Sequence, residues 1–202
     1  MITSTNSNAY WAVIPAAGKG SRMASEIPKQ YLPLAGKAVI EHTIQVFIEH
    51  PKISGVVVVI ASDDSMWPEI RMTFEAQTMM AIGGAERCHS VLSGLDVLQP
   101  RATPQDWVLV HDAARPCLRV ADIDRMIDEL SGHSCGGILA APVRDTLKRC
   151  SVDGEVEQTV DRTRLWHALT PQMFRFEVLR DAIEIALNNE LIVTDEAQAI
   201  EA

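Results

Sequence analysis

Two glycines and two cations near the start of the chain have the spacing of a phosphate-holding loop. In "PAAGKGSRMASEIPKQY", residues 15–31, Gly18 and Gly20 lie two apart, and Lys29 follows Arg22 by seven positions. A glycine-rich turn after a strand lets backbone N–H groups converge on a phosphate with no side chain in the way. Pro28 has a fixed φ and keeps Ile27 extended, and is expected to keep the chain from turning helical at once before Lys29. Two cations beside backbone donors suit a triphosphate and the charge that builds when an α-phosphate is attacked. Taken alone, the loop also fits a plain surface turn with two solvated cations. Two common phosphate chemistries are excluded. The dinucleotide fingerprint requires glycine where Met23 stands, and the P-loop requires Gly-Lys-Ser/Thr after four spacers, which this loop lacks.

Other residues able to do chemistry are scattered. Asp112 ends the apolar run "WVLVHD", residues 107–112, and taken by itself reads as a cap on the next turn. Arg115 and Arg162 read equally well as surface ion-pair partners, and Thr146 and Thr170 as strand residues. His111 and His167 sit in apolar runs and read as packed, hydrogen-bonded side chains. Cys88, Cys117, Cys135 and Cys150 form no Cys-x-x-Cys and have no histidine at ligand spacing, so zinc is not expected and scattered reduced thiols are.

The elements that must position these residues are legible in hydrophobic pattern. "AYWAVIP" (9–15), "GVVVVIA" (55–61), "WVLVHD" (107–112) and "GGILAAPV" (136–143) read as buried strands. Between and after them, apolar residues recur at helical spacing: Val39, Ile40, Ile44, Phe47 and Ile48; Val91, Leu92, Leu95 and Leu98; Ile123, Met126, Ile127 and Leu130; and the stretch Phe176–Leu187. Alternating strands and helices predict an α/β protein with a mostly parallel sheet covered by helices on both faces. Ligands of such sheets bind at the carboxyl ends of the strands, where the glycine loop and Asp112 both fall. Residues 144–164 break the rhythm. They are polar, with Asp153-Gly154 as a hairpin signal, and predict a protruding β-hairpin, either a solvent-exposed flap or, the favoured reading, an arm covered by another subunit. The expectation is one domain over residues 1–202, with 144–164 as its dimerisation arm.

Net charge and patterning narrow the class. A formal charge of -9 with no Lys/Arg run argues against nucleic acid or an anionic membrane as partner. The polar start "MITSTNSN" and the short apolar run after it give neither a signal peptide nor a membrane span, so a cytoplasmic protein is expected.

The glycine loop resembles the signature of nucleotidyltransferases that activate sugar or polyol phosphates. "GGAERCHSVLSGL" (83–95), "VLVHDAARP" (108–116), "APVRDTLK" (141–148), "TVDRTRLWHALTPQMF" (159–174) and "TDEA" (194–197) narrow the likeness to the 2-C-methyl-D-erythritol 4-phosphate cytidylyltransferases. The resemblance runs from about residue 10 onward. It implies a Rossmann-like fold, and transfer of CMP from CTP to methylerythritol phosphate with release of pyrophosphate. It also implies Mg²⁺ as cofactor and a homodimer formed through the hairpin arm. By the same resemblance, Arg22 and Lys29 are catalytic, stabilising the pentacoordinate α-phosphorus. Pro15, Ala16, Ala17, Gly18 and Gly20 would wrap the CTP, and Gly83, Gly84, Arg87, Ser90 and Ala113 would bind the nucleotide. Asp112 would hold the metal and face the substrate, with Arg115, Thr146, Arg162 and Thr170 contacting the polyol phosphate. Glu86 and Asp145 would orient neighbouring cations.

Two departures from the family pattern stand out. Ala85 occupies a position that is often Asp in the family, so the resemblance implies one side-chain contact to the nucleotide fewer than in such members. The chain stops at Ala202, inside the helix expected after Asp195, where family members continue through a strand, a substrate-contacting lysine and a final helix. A protein truly ending there is expected to be weak or inactive. Two other readings share these motifs: a cytidylyltransferase for another polyol phosphate such as ribitol 5-phosphate, and a nucleotide-binding dimer module that has lost catalysis.

Overall fold

Three segments of nearly uninterrupted apolar residues form the centre of a six-stranded sheet. The computed structural model of the chain describes residues 8–18 and 27–202. The strands of the sheet are β1 (Tyr10–Pro15), β4 (Ile53–Ile60), β5 (Thr78–Ile82), β6 (Trp107–Val110), β7 (Gly136–Pro142) and β10 (Trp166–Arg175). Their spatial order is β5-β4-β1-β6-β10-β7. The β5, β4, β1 and β6 neighbours pair in parallel, whereas β10 runs antiparallel to both β6 and β7. The sheet is therefore mixed and mostly parallel.

Side-chain alternation divides the core between the two faces. On one face Ala12, Ile14, Val56, Val58 and Leu109 pack with residues of α1 (Val39–Ile48), α2 (Trp67–Phe74) and α4 (Val120–Leu130). On the other, Val13, Val57, Val59, Val108 and Val110 meet α3 (Arg87–Leu98), α5 (Phe176–Asn188) and α6 (Glu196–Glu201). Both faces of β6 are buried, which is why its sequence shows no polar alternation. Gly94 sets the height of α3 above the sheet. A Cβ there would lie 2.7 Å from Val13 Cγ1 and 3.1 Å from Val59 Cγ2, so the missing side chain lets the helix settle onto β1 and β4. That approach brings the N-terminal end of α3, with Arg87 and Ser90, beside the loop after β1.

The four strands and four helices read from periodicity are present at β1, β4, β6, β7 and at α1, α3, α4, α5. Periodicity missed β5, β10 and α2. β5 is an edge strand with mixed exposure, and α2 is short and only partly buried. β10 is exposed over its first half and buried over its second, so it presents neither a strict alternation nor a continuous apolar run.

Outside the main sheet, β8 (Leu147–Cys150) and β9 (Val156–Val160) form an antiparallel ribbon around Asp153-Gly154, and β2 (Pro33–Leu34) pairs with β3 (Lys37–Ala38). Among the described residues, the β8–β9 ribbon hydrogen-bonds to no other strand. Among the described residues, no helix is long and apolar enough to cross a membrane.

Candidate active site

The carboxyl end of β1 runs into the loop Pro15–Gly18. Ala16 N donates to Val59 O at 2.7 Å, which extends the β1–β4 pairing one residue into the loop. Below it, the short 3₁₀ turn Lys29–Tyr31 buries Gln30, whose Nε2 donates to Ala16 O at 2.8 Å and to Gly18 O at 3.3 Å. The loop's carbonyls are thereby held inward by protein. Gly20 and Arg22, expected on the same loop, lie outside the described residues.

The end of β6 carries the second wall. His111 N donates to Val13 O at 3.0 Å and the His111 Nε2–H to Arg115 O at 3.0 Å, while Arg115 N donates to Asp112 O at 3.1 Å. These bonds wind residues 111–115 into a tight turn that sets Asp112 at its head. Thr43 Oγ1, from α1, donates to Ala113 O at 3.0 Å and fastens the turn to the helix layer. The Asp112 N–H reaches Thr170 Oγ1 at 3.4 Å. Thr170 lies where the β10–β7 register shifts, between Ala168 and Gln172, and such interruptions often re-aim side chains beside sites.

Loop, turn, α3 and β10 enclose one cavity of about 780 Å³. Of the residues singled out from sequence, Pro15, Ala16, Ala17, Gly18, Lys29, Gly84, Arg87, Ser90, Asp112, Ala113, Arg115 and Thr170 all line it. Gly83 stands just behind the wall, with its N–H bonded to Ile60 O at 2.7 Å. Thr146 and Arg162 are not brought to the cavity; both are exposed at the base of the hairpin, where Arg162 Nη1 bonds the Arg144 carbonyl. Of the two histidines expected to be packed, His111 is buried and His167 is exposed.

Charge inside the cavity is organised around Asp112. Arg115 Nε donates to its Oδ2 at 2.9 Å, and Arg87 donates to its Oδ1 from Nη2 at 3.1 Å and from Nε at 3.3 Å. Burial alone would push this carboxyl up, but Arg87 and Arg115 outweigh it and hold Asp112 below the usual carboxylate range. It is an anion at neutral pH. Arg87 also grips Glu196 on α6, through Nη1 to Oε1 and Nη2 to Oε2. Lys29 has no side-chain partner among the described residues, so its charge is available to an incoming anion.

The donor set at Asp112 fits magnesium. A single ionised carboxylate at the rim of a cation-lined cavity matches an ion that binds through few protein oxygens and chiefly through phosphates. A different grouping, Glu86, Cys88 and His89, brings three donor atoms within 4.8 Å of one another. Its thiol and imidazole do not suit magnesium, and burial pushes the Cys88 thiol up, which keeps it protonated.

Three residues of the site escaped sequence reading. Gln30 braces the loop; Gln172 donates from Nε2 to Asp195 Oδ2 at 2.8 Å and accepts the Ala197 N–H at 2.8 Å; Glu196 holds Arg87. Gln172 and Glu196 sit within the motifs "TPQMF" and "TDEA", but no spacing rule pairs them with partners so distant in the chain.

A mixed α/β sheet with a backbone loop at β1, a carboxylate at the end of β6 and cations between them defines a protein of the nucleotidyltransferase class. Comparison with known proteins sharpens this. Residues 10–202 match the family model for 2-C-methyl-D-erythritol 4-phosphate cytidylyltransferase. The enzyme of that name from Pseudomonas putida strain GB-1 is 52% identical over 194 residues, covering 96% of this chain and 83% of the relative. That from Pseudomonas aeruginosa strain UCBPP-PA14 is 51% identical over 201 residues, covering 99% and 86%. Among solved structures, a 4-diphosphocytidyl-2C-methyl-D-erythritol synthase superimposes with a TM-score of 0.83 at 37% identity, over 96% of this chain and 84% of the other. The cytidylyltransferase of Francisella tularensis gives 0.80 at 34% identity, over 96% and 86%. The chain belongs to the 2-C-methyl-D-erythritol 4-phosphate cytidylyltransferase family.

Proposed function

We propose that this chain transfers the cytidylyl group of CTP to 2-C-methyl-D-erythritol 4-phosphate, giving 4-diphosphocytidyl-2-C-methyl-D-erythritol and pyrophosphate for non-mevalonate isoprenoid synthesis. The observation that carries the reading is the convergence of the Pro15–Gly18 loop, Lys29, Arg87, Asp112, Arg115 and Thr170 on one cavity. The acceptor phosphate is an anion at neutral pH, so no protein nucleophile is needed. Its oxygen forms the new bond to the α-phosphorus as the bond to the pyrophosphate oxygen breaks. Catalysis then reduces to bringing two polyanions together in line and neutralising charge.

Each residue has a part in that task. Lys29, with Arg22, stabilises the charge gathering on the α-phosphate. The backbone of Pro15–Gly18 and Gly20 wraps the triphosphate, and Gly83, Gly84, Arg87, Ser90 and Ala113 hold the nucleoside end. Arg115 and Thr170 face the acceptor phosphate. Nucleotidyl transfer generally uses a divalent metal, and Asp112 is the residue to hold it, with Mg²⁺ the ion its oxygen donors favour. When bound, the ion neutralises triphosphate charge and orients the leaving group.

Residues 1–202 form one nucleotidyltransferase domain in this reading, working in the cytoplasm where CTP is supplied, with 144–164 as its dimerisation arm. An isolated two-stranded ribbon is marginal in water, and this one exposes Val152 and Val156, with Trp166 exposed at the start of β10. Those features favour cover by a second copy, which would carry Thr146 and Arg162 to the partner's acceptor site.

The test is pyrophosphate release from CTP and Mg²⁺ with methylerythritol phosphate, and with ribitol 5-phosphate for comparison. Release with the first acceptor alone is expected, with kcat lower by about 10²–10³ in Lys29→Ala. Equal release with both acceptors, or none with either from a chain whose full length is verified by mass, would overturn the assignment.

A further inference from the structure

Arg87 divides one guanidinium between two carboxylates, and it does so unequally. Glu196 receives it through both oxygens, Oε1 from Nη1 and Oε2 from Nη2, the latter at 3.1 Å. Asp112 receives it through Oδ1 only, at 3.1 and 3.3 Å. A two-pronged guanidinium–carboxylate pair is stronger and more directional than a contact to one oxygen. Exposure is divided in the same way: the Glu196 side chain is 2% exposed and that of Asp112 32%. Water or a cation can therefore replace Arg87 at Asp112 but cannot reach Glu196.

The helix that carries Glu196 is itself pinned. Asp195 caps α6 by accepting the Gln198 N–H at 3.0 Å, and Gln172 ties both Asp195 and the Ala197 N–H to β10. Glu196 is thus a fixed post on which Arg87 hangs. Meanwhile both oxygens of Asp112 are taken by guanidinium groups, Oδ1 by Arg87 and Oδ2 by Arg115. Oδ2 accepts one bond, but Oδ1 accepts two, both from Arg87, so a divalent ion that takes Oδ1 must displace Arg87 there.

We infer that Glu196 is a positioning residue for metal–nucleotide binding: it retains Arg87 in the cavity wall when Asp112 gives up that contact to the cation. This rests on the proposed roles of Asp112 and Arg87. Without the second carboxylate, Arg87 would have Asp112 as its remaining anion and would compete with the metal for it. Arg87 is only partly buried, with its side chain 29% exposed, yet a guanidinium drawn out of water and left with no anion is still costly, and that cost would fall on the metal-bound state.

The experiment is calorimetric titration of CTP into the full chain at a series of Mg²⁺ concentrations, without acceptor, with thermal melting alongside. In Glu196→Gln, the Mg²⁺ concentration giving half-maximal CTP affinity is expected to rise about tenfold, the scale of one lost charge-assisted bond. Glu196→Asp keeps the charge but draws it back by one methylene, so a smaller rise in the same direction is expected; it carries the test if Glu196→Gln does not fold. In an Arg87→Met background the Gln substitution should add nothing, because Glu196 acts through Arg87. A lowered melting temperature with the Mg²⁺ requirement unchanged would make Glu196 merely structural and overturn the inference. The wild-type turnover assay separates the two claims. A wild type that turns over while its Glu196 variants keep the original Mg²⁺ requirement defeats only this inference, whereas a wild type of verified full length with no turnover defeats the proposed reaction beneath it.

Discussion

Gln30 and Ala16 are joined side chain to backbone, with Gln30 Nε2 donating to the Ala16 carbonyl at 2.8 Å in a buried setting. The same nitrogen reaches Gly18 O at 3.3 Å, so one amide braces the whole described part of the glycine loop. Phosphate binding by backbone depends on N–H groups facing the ligand, and carbonyls fastened on the other side favour that orientation. Gln30→Ala should leave two carbonyls without this partner, costing about 1–3 kcal/mol of stability and raising KM for CTP more than it lowers kcat. Urea denaturation and steady-state kinetics on one preparation would check both parts.

Gly83 touches the nucleotide wall from behind. A Cβ on it would lie 2.5 Å from Ala17 Cβ and 2.6 Å from Ser90 Oγ. Gly83→Ala must displace the loop or the first turn of α3. The expected result is a loss of about 1–3 kcal/mol, typical of overpacking, together with weaker CTP binding measured by calorimetry. Unchanged CTP affinity would show that the wall yields elsewhere.

If the arm completes the partner's site, defects on the arm and defects in the cavity should complement each other. Arg162→Ala and Lys29→Ala are each expected to be nearly inactive as homodimers. Mixed, unfolded and refolded together, they should recover roughly a quarter of wild-type activity. Half the dimers are then mixed, and one of two sites in each is whole. Sedimentation should find a dimer. A monomer, or a mixture no more active than its parts, would remove the arm from the mechanism.

Asp106 gives a pH signature independent of catalysis. It is buried, yet accepts from Ala9 N, Thr103 N and Thr103 Oγ1 at 2.9 Å and from Trp11 Nε1 at 3.3 Å. Burial pushes its carboxyl up, but these donors prevail and hold it below its ordinary value of 3.8. A depressed acid stabilises the fold fully above its unfolded pKa, and that stabilisation fades as pH falls through the folded one. In Asp106→Asn an amide nitrogen must face donors, so the variant should lose about 2–3 kcal/mol at neutral pH. The gap to wild type should close below pH 3.8. Denaturation curves across the acid range would show a constant gap if the carboxylate charge is irrelevant.

What could be read from the chain was whatever local pattern encodes. The β-branched run of β4 and the fully buried run of β6 mark central strands because both of their faces must be apolar. The glycine loop and Asp112 could be placed together since parallel strands bring their carboxyl ends to one edge of the sheet. The hairpin showed through its polar composition and Asp153-Gly154. β10 did not, because it is half exposed and runs against its neighbours, a direction set by pairing rather than by propensity.

The polar framework of the site belongs wholly to tertiary structure. Arg87 meets Glu196 across 109 positions of chain and Asp112 across 25. A charged residue carries no periodic signal of its partner, and a lone arginine, glutamate or glutamine looks the same in sequence whether solvated or locked. Only the packing of α6 and of α3 on α5, together with the β6 turn, made one guanidinium the link between two carboxylates. Local chemistry placed the glycine loop and the acid at strand ends; long-range packing determined which cation each acid holds and how firmly.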